Sequence, residues 1–152
     1  MKKFFLFSLF VSAVHAAERP NVILIYTDDQ GYGDASCLNP ASKFKTPHLD
    51  RLAREGMTFT DGHCSDTVCT PSRYGLLTGR YSWRTILKRG VFGAEKECLI
   101  KDGRVTLASL LRDNGYHTAM VGKWHLGMDF PGPGEGATGR NRSRTCRWTR
   151  PR

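Results

Sequence analysis

The 152 residues are 39% hydrophobic and 11% aromatic, enough apolar material for the core of one ordinary domain, which excludes disorder throughout. The net charge of +9 lies at the ends: Lys2 and Lys3 bring +2, and six arginines against Glu135 bring +5 over residues 131–152, leaving +2 for residues 17–130. A nucleic-acid partner is therefore not expected, because such a partner needs a basic stripe on the folded part.

Met1 to Ala16 joins Lys2-Lys3 to an apolar run from Phe4 to Val14 and closes with Val14-His15-Ala16, the three-part pattern of a secretory signal peptide. The run falls short of the roughly 20 residues that span a bilayer, so export to a secreted or periplasmic location is expected, with no stable membrane anchor. Asn21-Val22-Ile23-Leu24-Ile25-Tyr26 is a continuous β-branched run that predicts a strand buried on both faces of a largely parallel sheet. It ends at Thr27-Asp28-Asp29-Gln30-Gly31. Ligands gather at the carboxyl ends of strands in open α/β sheets, so Asp28 and Asp29 are placed to hold a hard divalent cation; a plain Asp-Gly turn is the competing reading.

Residues 31–45 predict a polar loop. Thr46 to Gly56 predicts a helix with Thr46 as N-cap, Pro47 at the first position, Leu49, Leu52 and Ala53 facing inward, His48 on the surface and Gly56 as the stop. Met57 to Asp61 alternates and predicts a strand. In Cys69-Thr70-Pro71-Ser72-Arg73-Tyr74-Gly75-Leu76-Leu77-Thr78-Gly79-Arg80, proline predicts a helix from about Pro71 to Leu77, stopped by Gly79. Cys69 then stands just before an N-terminus whose unpaired amides and dipole favour a thiolate or a bound oxyanion, with Arg73 one turn on as a guanidinium fork. Tyr81 to Glu97 reads either as the lining of a substrate cleft or as a surface loop around Trp83 and Phe92.

Val105 to Gly115 predicts a second amphipathic helix starting near Thr106, and Tyr116 to Val121 a strand, so strand, helix and strand alternate as in right-handed βαβ units. Gly122-Lys123-Trp124-His125-Leu126-Gly127 then falls past a strand's carboxyl end, on the rim expected for Asp28 and Asp29. From Pro131 the composition turns to Pro-Gly repeats and arginine. Residues 131–152 read as a shifted reading frame, with a disordered basic tail that binds an anionic surface as the competitor. The five cysteines, Cys37, Cys64, Cys69, Cys98 and Cys146, are too few and too irregular for a disulfide scaffold or for paired zinc knuckles. Their odd number fits one chemically special cysteine, the other four being paired or free.

Cys69-x-Pro71-Ser72-Arg73 followed by Thr78-Gly79, the downstream run Gly115 to His125, and Asp28-Asp29 together closely resemble the formylglycine-dependent sulfatases, in family order over roughly residues 20–130. The resemblance implies an α/β, alkaline-phosphatase-like fold: a three-layer sandwich with a mixed, mostly parallel central sheet, of which residues 17–130 would be the amino-terminal part. It implies a sulfuric ester hydrolase in which Cys69, oxidised to formylglycine by a maturation enzyme, acts as a hydrated aldehyde on an aryl or carbohydrate sulfate. It further implies that Asp28, Asp29 and residue 69 bind Ca2+ or Mg2+, that Arg73 steadies the hydrate, that Lys123 contacts it or the sulfate, and that His125 takes a proton from it. Family members run several hundred residues, so an incomplete domain of low or no activity is expected. The alternatives are a phosphate or phosphonate ester hydrolase of the same superfamily and a non-enzymatic secreted fragment.

Overall fold

In the computed structural model the described residues are 19–93 and 96–128. The chain divides into two units, Met1–Gly31 and Tyr32–Arg152. The signal-peptide and tail readings, 1–16 and 131–152, lie outside the described residues.

Among the described residues three α-helices form where local signals demand them. Pro47 is pre-set for a first helical turn, and α1 runs Pro47–Glu55, with the Gly56 N–H closing onto the Leu52 carbonyl. Its N-terminus is fastened by a polar network. Asp50 accepts from the Ser36 hydroxyl at 2.8 Å, the Cys37 N–H at 2.9 Å and the Thr46 hydroxyl at 2.9 Å. These bonds hold the loop around Ser36 against α1 and set a carboxylate in the positive first turn of the helix. The inward face expected for Leu49, Leu52 and Ala53 does not form. α1 buries no residue, and Leu52 is 58% exposed, because hydrogen bonds and not apolar packing attach this helix.

α2 runs Cys69–Thr78 and ends at Gly79 in the left-handed conformation, φ 62°, as expected for a glycine stop. It starts two residues earlier than predicted, so Cys69 is the first helical residue and Pro71 the third. α3 runs Leu107–Asp113 behind a capping box in which the Thr106 hydroxyl accepts from the Ser109 N–H and the Ser109 hydroxyl accepts from the Thr106 N–H. α2 packs against α3 and against a short 3-10 turn at Ser82–Arg84.

The core of the second unit lies behind α2: Tyr74, Leu87, Cys98, Leu99, Ile100 and Leu126, with Leu77, Phe92 and Trp124 packed against them. Leu99, Ile100 and Leu126 are fully buried, each stabilising the fold by about 1.5–3 kcal/mol in transfer terms. Cys98 is disulfide-bonded, whereas Cys37 and Cys69 keep their thiols.

The predicted strands at 21–26, 57–61 and 116–121 are absent, and no β-strand occurs among the described residues. A strand exists only through the ladder bonds of a neighbour, and these runs form no ladder among the described residues. Their side chains are correspondingly uncovered: Ile23 is 85% exposed, Phe59 74% and Val121 100%. None of the described helices is long and apolar enough to cross a membrane.

Candidate active site

Val68, in extended conformation, precedes α2 and has no side-chain oxygen with which to cap it. Pro71 has no N–H to offer, so the amides left at this end are those of the first two helical residues, Cys69 and Thr70. Cys69 is half-buried at that end, while Thr70, Pro71, Ser72 and Tyr74 behind it are buried. The Ser72 hydroxyl donates to the Cys69 carbonyl at 3.0 Å and firms the first turn. Gly75 is needed because a Cβ there would collide with the Ser65 side chain, which approaches the helix and donates to the Pro71 carbonyl at 3.3 Å.

The loop of residues 122–128 is fastened to this helix end by its carbonyls. Arg73 Nη1 donates to the Lys123 oxygen at 2.9 Å, and Thr70 Oγ1 to the His125 oxygen at 2.9 Å. The Leu126 oxygen accepts from the Leu99 N–H at 2.9 Å and the Gly127 oxygen from Trp124 Nε1 at 2.7 Å. The Met128 N–H donates to the Lys96 oxygen at 3.0 Å. Gly127, at φ 75°, lies so close to the Lys96 and Glu97 carbonyls that a Cβ would overlap them.

His125 is left-handed at φ 54°, a conformation that costs a non-glycine residue on the order of 1–3 kcal/mol and persists where its surroundings fix it. Its Nδ1 is buried and has no hydrogen-bond partner among the described residues. A buried polar atom left unsatisfied costs about 1–3 kcal/mol, so a group able to exchange a proton or a hydrogen bond with this ring would find it ready. Lys123 is exposed beside it, and Arg73 is half-buried.

Four of the residues singled out in the sequence thus occur on two elements that are tied together: Cys69 and Arg73 on α2, Lys123 and His125 on the loop. Sequence reasoning missed Thr70, whose hydroxyl links the two, and the Phe92 N–H, which donates to that hydroxyl at 3.1 Å. Neither carries a local signal, since both act across more than twenty residues of chain. Asp28 and Asp29 belong to the first unit. Both are exposed, and Asp29 is left-handed at φ 58°. Two adjacent carboxylates match the oxygen chemistry of a hard cation. Among the described residues, however, no group of three or more His, Cys, Asp or Glu side chains converges, so they do not form a complete cation cage.

Residues 20–148 match the sulfatase family, a span that reaches into the arginine-rich stretch. Over 112 residues the chain is 46% identical to N-acetylgalactosamine-6-O-sulfatase of Bacteroides thetaiotaomicron, covering 74% of this chain and 22% of that protein. It is 44% identical to human steryl-sulfatase, covering 81% of this chain and 22% of the relative, and 45% identical to human arylsulfatase A, covering 74% and 22%. A solved structure from work on the metabolism of multiple glycosaminoglycans by Bacteroides thetaiotaomicron superposes with a TM-score of 0.68 at 46% identity, covering 74% of this chain and 23% of that one. The chain therefore spans about a fifth of the length of the curated relatives it matches. It belongs to the sulfatase family of hydrolases and shares their alkaline-phosphatase-like fold.

Proposed function

We propose that this chain forms the nucleophile-bearing part of an exported sulfuric ester hydrolase, acting on aryl or carbohydrate sulfates through a formylglycine made from Cys69. The observation that carries this reading is the joining of the Cys69 helix end to the Lys123–His125 loop by Arg73 and Thr70. Hydrolysis of a sulfate monoester needs positive charge around sulfur while an oxygen attacks, and fixed charges and dipoles stabilise such a transition state without reorganising. The α2 amides, the Arg73 guanidinium and the Lys123 ammonium supply that charge.

A formylglycine at position 69 supplies, as its hydrate, two geminal hydroxyls, one nucleophilic toward a sulfate ester and one available to release sulfate. Arg73, one turn along α2 from that group, orients it. Lys123 binds the sulfate oxygens, and His125 takes or returns a proton. Asp28 and Asp29 serve as two ligands of a Ca2+ or Mg2+ ion. As a cation of this kind takes roughly 6–8 oxygens in the case of calcium, these two carboxylates fill only part of its shell. The mostly parallel sheet of a three-layer sandwich would cover the exposed runs around Ile23, Phe59 and Val121. Residues 1–16 direct export, to a secreted or periplasmic location.

The test is chemical. Co-expressed with a formylglycine-generating enzyme, the chain should yield a Cys69 peptide whose mass shows oxidation of thiol to aldehyde. An intact thiol, in a host that converts other sulfatases, would count decisively against the reading.

A further inference from the structure

Thr70 occupies the one position of the Cys-x-Pro-Ser-Arg run that the signature leaves open, yet its hydroxyl is fully committed. The residue is 0% exposed; Oγ1 accepts from the Phe92 N–H at 3.1 Å and donates to the His125 carbonyl at 2.9 Å. The incoming N–H takes one lone pair and so aims the hydroxyl proton, which would otherwise rotate freely, at the His125 oxygen. On the far side of that bond, His125 holds a left-handed backbone, at φ 54°. The neighbouring carbonyls of Lys123, Leu126 and Gly127 are held by Arg73, Leu99 and Trp124, and the tie on the His125 carbonyl leads to the residue bonded to Cys69.

We propose that Thr70 is a positioning residue: its hydroxyl, oriented by the Phe92 amide, fixes where the His125 imidazole stands relative to residue 69. The direction of a left-handed residue's side chain follows its φ and ψ, so releasing the carbonyl frees the ring as well as the backbone. A misplacement of about 1 Å in a reacting group can cost about a hundredfold in rate, which gives a single buried hydroxyl functional weight. This inference rests on the reading of Cys69 and His125 as partners in one reaction, but its geometric content needs no turnover to be tested.

The experiment is solution NMR of the 152-residue chain with its natural Cys69, as wild type, Thr70→Val and Thr70→Ser. The wild-type Thr70 hydroxyl proton should exchange about tenfold or more slowly than an exposed threonine hydroxyl. Thr70→Val keeps the shape and removes both bonds. It should displace the His125 carbonyl-carbon and ring-nitrogen signals while the Leu99 and Ile100 methyl signals stay in place, and Thr70→Ser should restore the wild-type pattern. Solvent-rate exchange of the wild-type hydroxyl, unchanged His125 ring signals in Thr70→Val, or equal displacement in both variants would each overturn the proposal. Should Thr70→Val fail to fold, the hydroxyl exchange and the serine variant decide the matter. Conversion of Cys69 is scored separately by mass spectrometry: its failure removes the functional reading, whereas loss of the NMR signature removes the clamp alone.

Discussion

Arg73 Nη1 donates to the carbonyl oxygen of Lys123 at 2.9 Å, so a guanidinium one turn along the Cys69 helix fixes the backbone of the loop that carries Lys123 and His125. Arginine suits this task because its planar fork offers five donors in a fixed geometry. Arg73→Lys keeps the charge and loses the fork. The expected result is faster amide exchange at Trp124 to Leu126, with a stability loss of about 1.5–3 kcal/mol, as for a hydrogen bond to a charged group. Wild-type exchange rates in the lysine variant would show that the guanidinium does not hold the loop.

Gly79 and Gly127 are both left-handed, at φ 62° and 75°, but their surroundings differ. Nothing lies within 4 Å of a Cβ built on Gly79, whereas one built on Gly127 overlaps the Lys96 and Glu97 carbonyls. Gly79→Ala should therefore cost only the conformational strain, about 1–2 kcal/mol. Gly127→Ala should cost more and disturb Trp124, whose Nε1 donates to the Gly127 oxygen. Urea unfolding midpoints of the two variants give the comparison; equal losses would contradict it.

Asp50 is expected to make α1 sensitive to acid. The Ser36 hydroxyl, followed by Thr46 and Cys37, holds its carboxyl below the ordinary carboxylate value. The folded form thus binds a proton less readily than the unfolded one. The stabilisation is fully present above the ordinary carboxylate range and is lost as pH falls through the depressed folded value. Asp50→Asn should flatten the fall of the thermal midpoint as pH drops from the ordinary carboxylate range into the more acid range below it. An unchanged slope would place the acid response elsewhere.

With Cys69 converted, the 152-residue chain is expected to turn over an activated aryl sulfate little or not at all in the presence of calcium or magnesium. Asp28 and Asp29 furnish only part of a shell of roughly 6–8 oxygens. Clear turnover, abolished by Cys69→Ala, would demonstrate that this chain suffices.

What could be read from the sequence was what local chemistry decides. Pro47, Thr106, Gly79 and Gly115 mark helix ends because capping, fixed proline φ and left-handed glycine act within a few residues. α2 starts earlier than Pro71 predicts because proline suits any position of the first turn whose N–H lacks a partner, so Pro71 does not single out the first. The runs at 21–26, 57–61 and 116–121 carry strand propensity but form no ladder among the described residues, since pairing is a property of two segments. Within the site, motif residues were legible by type. The Thr70 clamp and the left-handed His125 were not, as both depend on bonds that cross more than twenty residues.

The bonds that complete the site join Thr70 to His125 and Arg73 to Lys123, separations of 55 and 50 residues. During synthesis at about 5–20 residues per second, the loop follows the helix by roughly 3–11 s. Until then Cys69 has neither of these anchors, and a helix of ten residues is marginal without packing. On the formylglycine reading proposed above, the long separation would act as a timer: a maturation enzyme that reads Cys69 in an extended chain would have those seconds in which to act, before Thr70 and Arg73 find their partners.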